Sequence, residues 1–352
     1  MTAFTGAMEK LSGQQREQHR ILIPVLIVAL ALMSVASVAT GAVKIDISSL
    51  PGILLGSDQA SARDTVILWS VRLPRTFLAM LVGASLAASG AVLQGLFRNP
   101  LADPGLVGVS SGSVLAAVAT IVLGQNYFGE TATRLLPVTA FIGGLLTTIL
   151  LYSIATRDGR TYTATMLLGG IAIGAIAMAL TGVLIFMSTE QQLREFTFWS
   201  LGSLGGATWA KAGSVSLFML FALCLWPILA RGLDRLALGE AEAGHMGVNV
   251  QILKRAAIVA TALLTGAAVA VSGAIGFIGL VVPHLLRLVM SPRHRFLIPA
   301  AALLGAILLL AADMVARTIV APAELPIGIV TACLGGPVFL WMLLTNVRKI
   351  ET

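Results

Sequence analysis

The sequence predicts an all-α, polytopic membrane protein of about ten transmembrane helices. Of its 352 residues, 57% are hydrophobic and only 11% are charged, and the mean hydropathy is +0.93. Soluble domains carry about 25% charged residues, so this chain is too apolar to hide its side chains in one aqueous core. The 36 glycines agree, because small residues let transmembrane helices approach closely. These observations exclude a disordered chain, a disulfide scaffold and an ordinary cytosolic enzyme.

Apolar segments of about 20 residues are long enough to cross the hydrocarbon core of a bilayer. Eight such segments are clear, at residues 21–43, 76–94, 135–156, 166–187, 214–230, 256–271, 297–317 and 327–344. Two weaker ones, interrupted by glycine or serine, are 107–123 and 274–289. The chain is therefore divided into an N-terminal segment 1–20, a single transmembrane domain 21–347 and a tail 348–352.

The positive charges predict the orientation of these spans. With the N-terminus inside, 15 of the 23 Lys and Arg residues fall on the inner side, and such residues accumulate on cytoplasmic loops. Both termini are therefore expected in the cytoplasm. The same rule accounts for the net charge of +7, so nucleic-acid binding is not expected. The arginines left on the outer side need a separate explanation.

A repeated pattern of small residues predicts an inverted internal repeat. Residues 83–91 recur at residues 266–274, with glycine, alanine and serine at matching places. At the same offset Pro100 matches Pro283, and Arg72 matches Arg255. In the expected topology the two copies cross the membrane in opposite directions, as in many transporters. Chance matching in a sequence rich in glycine and alanine is the alternative.

Motifs for chemistry are missing from the sequence. There is no G-x-x-x-x-G-K-[ST] phosphate loop and no H-E-x-x-H motif, and the four histidines lack the spacing of a zinc site. We therefore expect no catalytic residue, metal or cofactor in this chain. Transport energy must come from a partner or an ion gradient. An ion-coupled carrier is disfavoured because no carboxylate lies convincingly at the membrane midplane, and an intramembrane enzyme would need a catalytic constellation.

Several long motifs follow one another in order. They are Arg72-Leu-Pro-Arg75, Arg98-Asn-Pro-Leu-Ala-Asp-Pro-Gly105, Ser272-Gly-Ala-Ile-Gly-Phe-Ile-Gly279, Ala312-Asp-Met-Val-Ala-Arg317 and Glu324-Leu-Pro-Ile-Gly328. With them nearly the whole chain resembles the FecCD or BtuC family, the permeases of ABC importers for vitamin B12, iron-siderophores and haem. The resemblance implies a type II ABC importer permease in the bacterial inner membrane. Such a permease is a homodimer of ten-helix subunits with two cytoplasmic ATPase subunits, which bind ATP and Mg, and a periplasmic substrate-binding protein.

The resemblance also implies roles for particular positions. Three outer arginines are expected to dock the binding protein: Arg72, Arg75 and Arg317. Alternatively, these arginines pair locally with Asp64, Asp313 and Glu324 or reach lipid headgroups. A short inner loop is expected to couple the permease to the ATPase, through Leu238, Gly239, Glu240, Ala243, His245 and Gly247. The alternative for this loop is a solvated interfacial helix. The cytoplasmic gate falls to Thr163 and Thr165, next to a segment that could instead be an ordinary turn at Asp158-Gly159.

The outer segment from Arg194 to Trp209 bears on the substrate. It looks most like the haem-importing branch of the family, so haem is the expected substrate, with a ferric siderophore or cobalamin as the alternative. Arg194 is the candidate substrate contact because a guanidinium suits a carboxylate such as a haem propionate. Siderophores also carry anionic groups. Trp199 and Trp209 fit an aromatic belt at the membrane interface without any further role.

Overall fold

A computed structural model gives the fold, and it describes residues 2–41, 50–54, 61–129 and 131–350. The α-helices in chain order are α1 Thr2–Ala39, α2 Leu50–Leu54, α3 Ala62–Ile67, α4 Leu73–Leu96, α5 Val109–Ala119, α6 Gln125–Phe128, α7 Thr131–Ala155, α8 Thr163–Phe186, α9 Glu190–Ser200, α10 Trp209–Leu236, α11 Glu240–His245, α12 Val250–Ser272, α13 Ile278–Val289, α14 His294–Ala316 and α15 Ile327–Ile350. A hairpin of β1 Thr156–Arg157 and β2 Arg160–Thr161 joins α7 to α8.

The membrane-spanning elements confirm the predicted fold. Seven helical stretches in the described residues are long and apolar enough to cross a membrane: Arg20–Ala39, Ala62–Leu96, Thr131–Ala155, Thr163–Phe186, Trp209–Leu236, Val250–Ser272 and His294–Ala316. Three shorter apolar helices coincide with the remaining predicted spans: Val109–Gly124, Ile278–Val289 and Ile327–Met342. Two of the three short helices are the spans that the sequence marked as weak. The first span was expected to reach Val43, which lies outside the described residues, as does Lys44.

Helix α4 lies at the centre of the bundle. It packs against α10, α12, α13 and α14, and a π-helical turn at Leu68–Arg72 joins it to α3 in one long span. Glycine makes the close contacts, because a Cβ at Gly83 would overlap the carbonyl oxygen of Gly305, and one at Gly90 would overlap that of Gly279. Small residues let the helix backbones approach closely here.

The two copies of the small-residue pattern occupy similar places but different local structures. Residues 83–91 lie within α4, and residues 266–272 lie within α12, so both copies sit on mostly buried helices. The match weakens beyond the glycines. Pro100 lies in a turn after α4 whereas Pro283 lies inside α13, and Arg72 is buried whereas Arg255 is exposed. The inverted relation between the two halves stays a prediction.

The hairpin before α8 contains a turn at Asp158-Gly159, which the sequence analysis gave as the alternative to a gate there. Thr156 pairs with Thr161 and Arg157 with Arg160 in antiparallel register. Both turn residues have positive φ, 51° at Asp158 and 73° at Gly159. Asp-Gly suits this conformation, because two-residue hairpin turns of type I′ need positive φ at both central positions.

Candidate functional site

The three outer arginines meet in one place, which we call the outer arginine cluster (Arg72, Arg75 and Arg317). The side chain of Arg75 forms ion pairs with Asp313, at 2.9 Å, and with Glu324, at 2.8 Å. Arg317 lies 3.4 Å from the Asp313 carboxylate, four residues away along the same chain segment. The local pairing with Asp313 and Glu324 is therefore present in the structure.

The other contacts of the cluster close the end of α1. Arg72 donates to the carbonyl oxygens of Val38 and Ala39, at 2.6 and 2.9 Å. Arg317 donates to the carbonyl oxygens of Ser37 and Thr40, at 3.0 and 3.1 Å. The last carbonyls of a helix lack intrahelical partners, and cations near them also interact favourably with the helix dipole. Two guanidinium groups thus satisfy the C-terminus of α1.

The cluster is not the exposed surface that a docking role suggests. Only 3% of Arg72, 7% of Arg75 and 6% of Arg317 is exposed. The three guanidinium groups instead line a cleft of about 280 Å³, whose wall also includes Pro322 and the half-exposed Glu324. A carboxylate from another protein would have to enter this cleft. Docking of the binding protein stays a prediction.

The inner loop between α10 and α12 contains the short helix α11. Leu238 is 67% exposed just before α11, while Ala243 is fully buried and anchors the helix on its inner side. His245 is exposed at its end. Gly239 has φ +133° and Gly247 φ +79°, so glycine is required on both sides of the helix. We call residues 238–247 the coupling segment.

Lys254 joins the coupling segment to the hairpin, and sequence reasoning missed it. Its ammonium lies 2.7 Å from the Glu240 carboxylate and donates to the carbonyl oxygen of Thr161 at 2.6 Å. Only 2% of Lys254 is exposed. The predicted span begins at residue 256, so Lys254 lies just outside it and only the longer helix α12, Val250–Ser272, places this charge within a span. It was counted only among the positive charges of the inner side.

The gate candidates lie where the hairpin meets α8. Thr163 is the first residue of α8 and is partly exposed, and Thr165 is exposed. Much of α8 is open in the single subunit: Leu168 is 70% exposed and Phe186 is 92% exposed. The structure thus leaves both threonines accessible at the start of α8, beside the hairpin that Lys254 holds.

The loop between α4 and α5 is fixed by its own motif. The Asp103 side chain accepts a hydrogen bond from the Gly105 backbone N–H at 2.8 Å, which caps the 3₁₀ turn Pro104–Val107. Burial raises the pKa of the Asp103 carboxyl above its ordinary value, and the hydrogen bond from Gly105 opposes this shift. The motif thus shapes a partly buried turn between two spans.

Arg194 lies apart from these groups, on α9. This helix begins with a capping box, in which the Thr189 and Gln192 side chains and backbones bond reciprocally. Arg194 is exposed. At the start of α10, the Trp209 indole N–H donates to the carbonyl oxygen of Trp69 at 2.9 Å. In the described part of the chain, no group of three or more His, Cys, Asp or Glu side chains could hold a metal ion.

Comparisons with known proteins agree with this architecture. Residues 26–345 match the FecCD transport family. The chain is 45% identical over 331 residues to the hemin transport system permease HmuU of Yersinia pestis, which covers 94% of this chain and 97% of that protein. It is 46% identical over 292 residues to the vitamin B12 import permease BtuC of Salmonella paratyphi A, and this match covers 83% of this chain and 87% of that protein.

A solved structure shares the fold. An inward-facing ABC transporter of the metal-chelate type superposes with a TM-score of 0.80 at 32% identity, over 92% of this chain and 98% of that one. Its helices therefore follow the same course as those that carry the outer arginine cluster and the coupling segment. The family match spans nearly all of the transmembrane domain. The chain belongs to the FecCD transport family and is the membrane permease of an ABC importer.

Proposed function

We propose that this chain is the permease subunit of an ATP-driven haem importer in the bacterial inner membrane, with both termini in the cytoplasm. The observation that carries the proposal is the end-to-end similarity to a hemin permease, 45% identical over 94% of this chain and 97% of that protein. A match of that length includes the loops, where substrate and partner contacts concentrate.

The energy for transport comes from a partner in this proposal. The chain has no phosphate loop, so two separate cytoplasmic ATPase subunits bind ATP and Mg. The coupling segment is the proposed docking element, and the exposed Leu238 before α11, with Ala243 buried behind it, supports this role.

The permease works as a homodimer around one translocation pathway. The open face of α8 provides apolar surface for a second copy, and Thr163 and Thr165 are small enough for two subunits to meet closely at a cytoplasmic gate. On the outer side Arg194 is exposed and suits a haem propionate, because guanidinium groups bind carboxylates in a bidentate manner.

A periplasmic binding protein delivers the substrate at the outer arginine cluster. The cleft there presents three guanidinium groups against Asp313 and Glu324, which leaves it one positive charge in excess. An acidic side chain of a partner fits this balance. Charge complementarity of this kind acts mainly on the association rate and its salt dependence.

Cobalamin is the second candidate substrate. The support for it is the 46% identity to the vitamin B12 permease, against 45% to the hemin permease, although the B12 match covers less of the chain, 83% against 94%. Ferric siderophores are a third class, since the solved relative is of the metal-chelate type.

Uptake by the reconstituted complex tests the proposal. The permease, its ATPase and its binding protein are placed in liposomes, and uptake of hemin, cobalamin and a ferric siderophore is measured with and without ATP. We expect ATP-dependent hemin uptake that needs the binding protein. Preferred uptake of cobalamin or siderophore would reject haem alone. Uptake driven by an ion gradient without ATP would reject the ABC mechanism itself.

A further inference from the structure

An apolar groove runs between α7 and α12 on the side of the bundle. Its volume is about 320 Å³, and it is lined by Leu145, Thr148, Ile149, Tyr152, Arg255, Ile258, Val259, Ala262 and Leu263. The lining residues recur at helical spacing, so each helix contributes one face. Ile149 is 62% exposed and Val259 is 45% exposed. The groove is therefore open to the surroundings of the protein.

Charge is confined to one end of this groove. The Arg255 Nε donates to the Tyr152 hydroxyl oxygen at 3.0 Å, and Thr148 turns its hydroxyl to the backbone of its own helix, at 2.9 Å from the Gly144 carbonyl oxygen. Among the described residues, Arg255 forms no ion pair with a carboxylate. An uncompensated guanidinium thus stands at the mouth of an otherwise apolar channel.

The groove has the length of one bilayer leaflet. Arg255 and Leu263 mark its two ends on α12, and eight residues of helix extend about 12 Å. Half of the hydrocarbon core of a bilayer is about 15 Å. The Arg255 end also lies beside the hairpin, where Thr161 donates to the Gln251 side chain at 3.1 Å. The hairpin and α11 extend beyond the spans there, so this end is at the level of the headgroups.

We propose that this groove binds one anionic glycerophospholipid, with an acyl chain along α7 and α12 and its phosphate on Arg255. Guanidinium groups bind phosphate through parallel N–H bonds, and Tyr152 uses only the Nε of Arg255. The apolar walls exclude a polar ligand, and the single cation selects a negative headgroup over a zwitterionic one. This site is independent of the substrate that the permease carries.

Lipid retention measures the binding. The protein is purified in detergent after exposure to vesicles of phosphatidylglycerol or of phosphatidylcholine, and retained lipid per chain is measured by native mass spectrometry. We expect one phosphatidylglycerol to be retained in preference to phosphatidylcholine. Arg255→Gln should weaken phosphatidylglycerol retention about tenfold, as expected for the loss of a charged hydrogen-bonded pair. Val259→Trp should fill the groove and reduce retention of both lipids.

Two controls make the result decisive. Arg231→Gln removes the same charge from an exposed position on α10, away from the groove, and should leave retention unchanged. Equal losses for Arg231→Gln and Arg255→Gln, or unchanged retention in Arg255→Gln, would overturn the proposal. A cysteine at Ile149, in a background with Cys224 and Cys333 replaced by Ser, tests for a protein occupant. Efficient disulfide cross-linking between two copies there would also overturn it.

Discussion

Asp313 is the carboxylate around which the outer arginine cluster is built. It is fully buried, and it contacts Arg75 and Arg317. The sequence predicts the contact with Arg317, because residues four apart share a helix face. The contact with Arg75 joins positions 238 residues apart and depends on the packing of α4 against α14. Local spacing alone therefore could not establish it, although it was considered as an alternative to docking.

Removing the charge of Asp313 is expected to destabilise the permease. Asp313→Asn leaves buried guanidinium groups without their carboxylate, and breaking such a buried pair costs about 3 kcal/mol or more. Glu324→Gln is the matched control, since Glu324 is 44% exposed and exposed pairs contribute about 1 kcal/mol or less. Thermal unfolding of both variants in one detergent compares them. Equal losses of stability would contradict the dominant role of Asp313.

At the scale of elements, the coupling segment depends on two glycines that the sequence had named only by resemblance. The loop was assigned to coupling by resemblance, with a solvated interfacial helix as the alternative, and the structure has the short helix α11 at Glu240–His245. The backbone conformation of Gly239 and the bond from Lys254 to Glu240 could not be predicted, because both depend on how α10 and α12 converge. The hairpin was more accessible to prediction, since Asp158-Gly159 is itself a turn signal.

Gly239→Ala is expected to uncouple ATP hydrolysis from transport. A side chain at Gly239 must adopt φ near +133°, and its Cβ would push aside the end of the Glu242 side chain, so the backbone that leads into α11 is strained. Strain of this kind costs about 1–3 kcal/mol. Gly244→Ala is the control, because nothing lies within 4 Å of a Cβ there. The ratio of transported substrate to hydrolysed ATP should fall for the first variant only. Equal ratios would reject the role of Gly239.

Helix packing around α4 gives a second prediction at this scale. Gly90→Ala should prevent the close approach of α4 to α13 and lower the yield of folded permease, because its Cβ would overlap the Gly279 carbonyl oxygen. Gly213→Ala has no neighbour within 4 Å of its Cβ and should be neutral or slightly stabilising, since alanine favours helix over glycine by about 1 kcal/mol. Size-exclusion profiles of the two variants compare them, and matching profiles would count against tight packing at Gly90.

At the scale of the whole molecule, composition and span length were enough to predict the ten apolar helices. They were not enough to predict which helix faces pack inside the subunit. Helix α8 is uniformly apolar, so its sequence does not distinguish lipid from protein neighbours, and it stays largely exposed in one subunit. The arginines show the converse problem, because a charge bias reveals the side of the membrane but not whether a residue is buried.

Cysteine cross-linking tests the gate in the assembled importer. Cys224 and Cys333 are both exposed, so they are first replaced by Ser. Cysteines at Thr163 or Thr165 should then cross-link two subunits in one nucleotide state of the ATPase and not in the other, because the proposed gate would open and close with the ATPase cycle. A cysteine at Arg231 serves as a control that should not cross-link. Cross-linking that ignores nucleotide, or never occurs, would reject the gate.

The contacts of Lys254 tie α11 closely to the hairpin, because one side chain bonds both elements. One ammonium holds both the first residue of α11, at 2.8 Å, and the end of the hairpin, at 2.6 Å. Hydrogen bonds weaken beyond about 3.2 Å. If α11 moves by about half an ångström and the ammonium follows Glu240, the hydrogen bond from Lys254 to the Thr161 carbonyl oxygen is already weakened. In the proposed importer, where the partner ATPase docks on the coupling segment, a movement of α11 therefore reaches the hairpin directly through the Lys254 side chain.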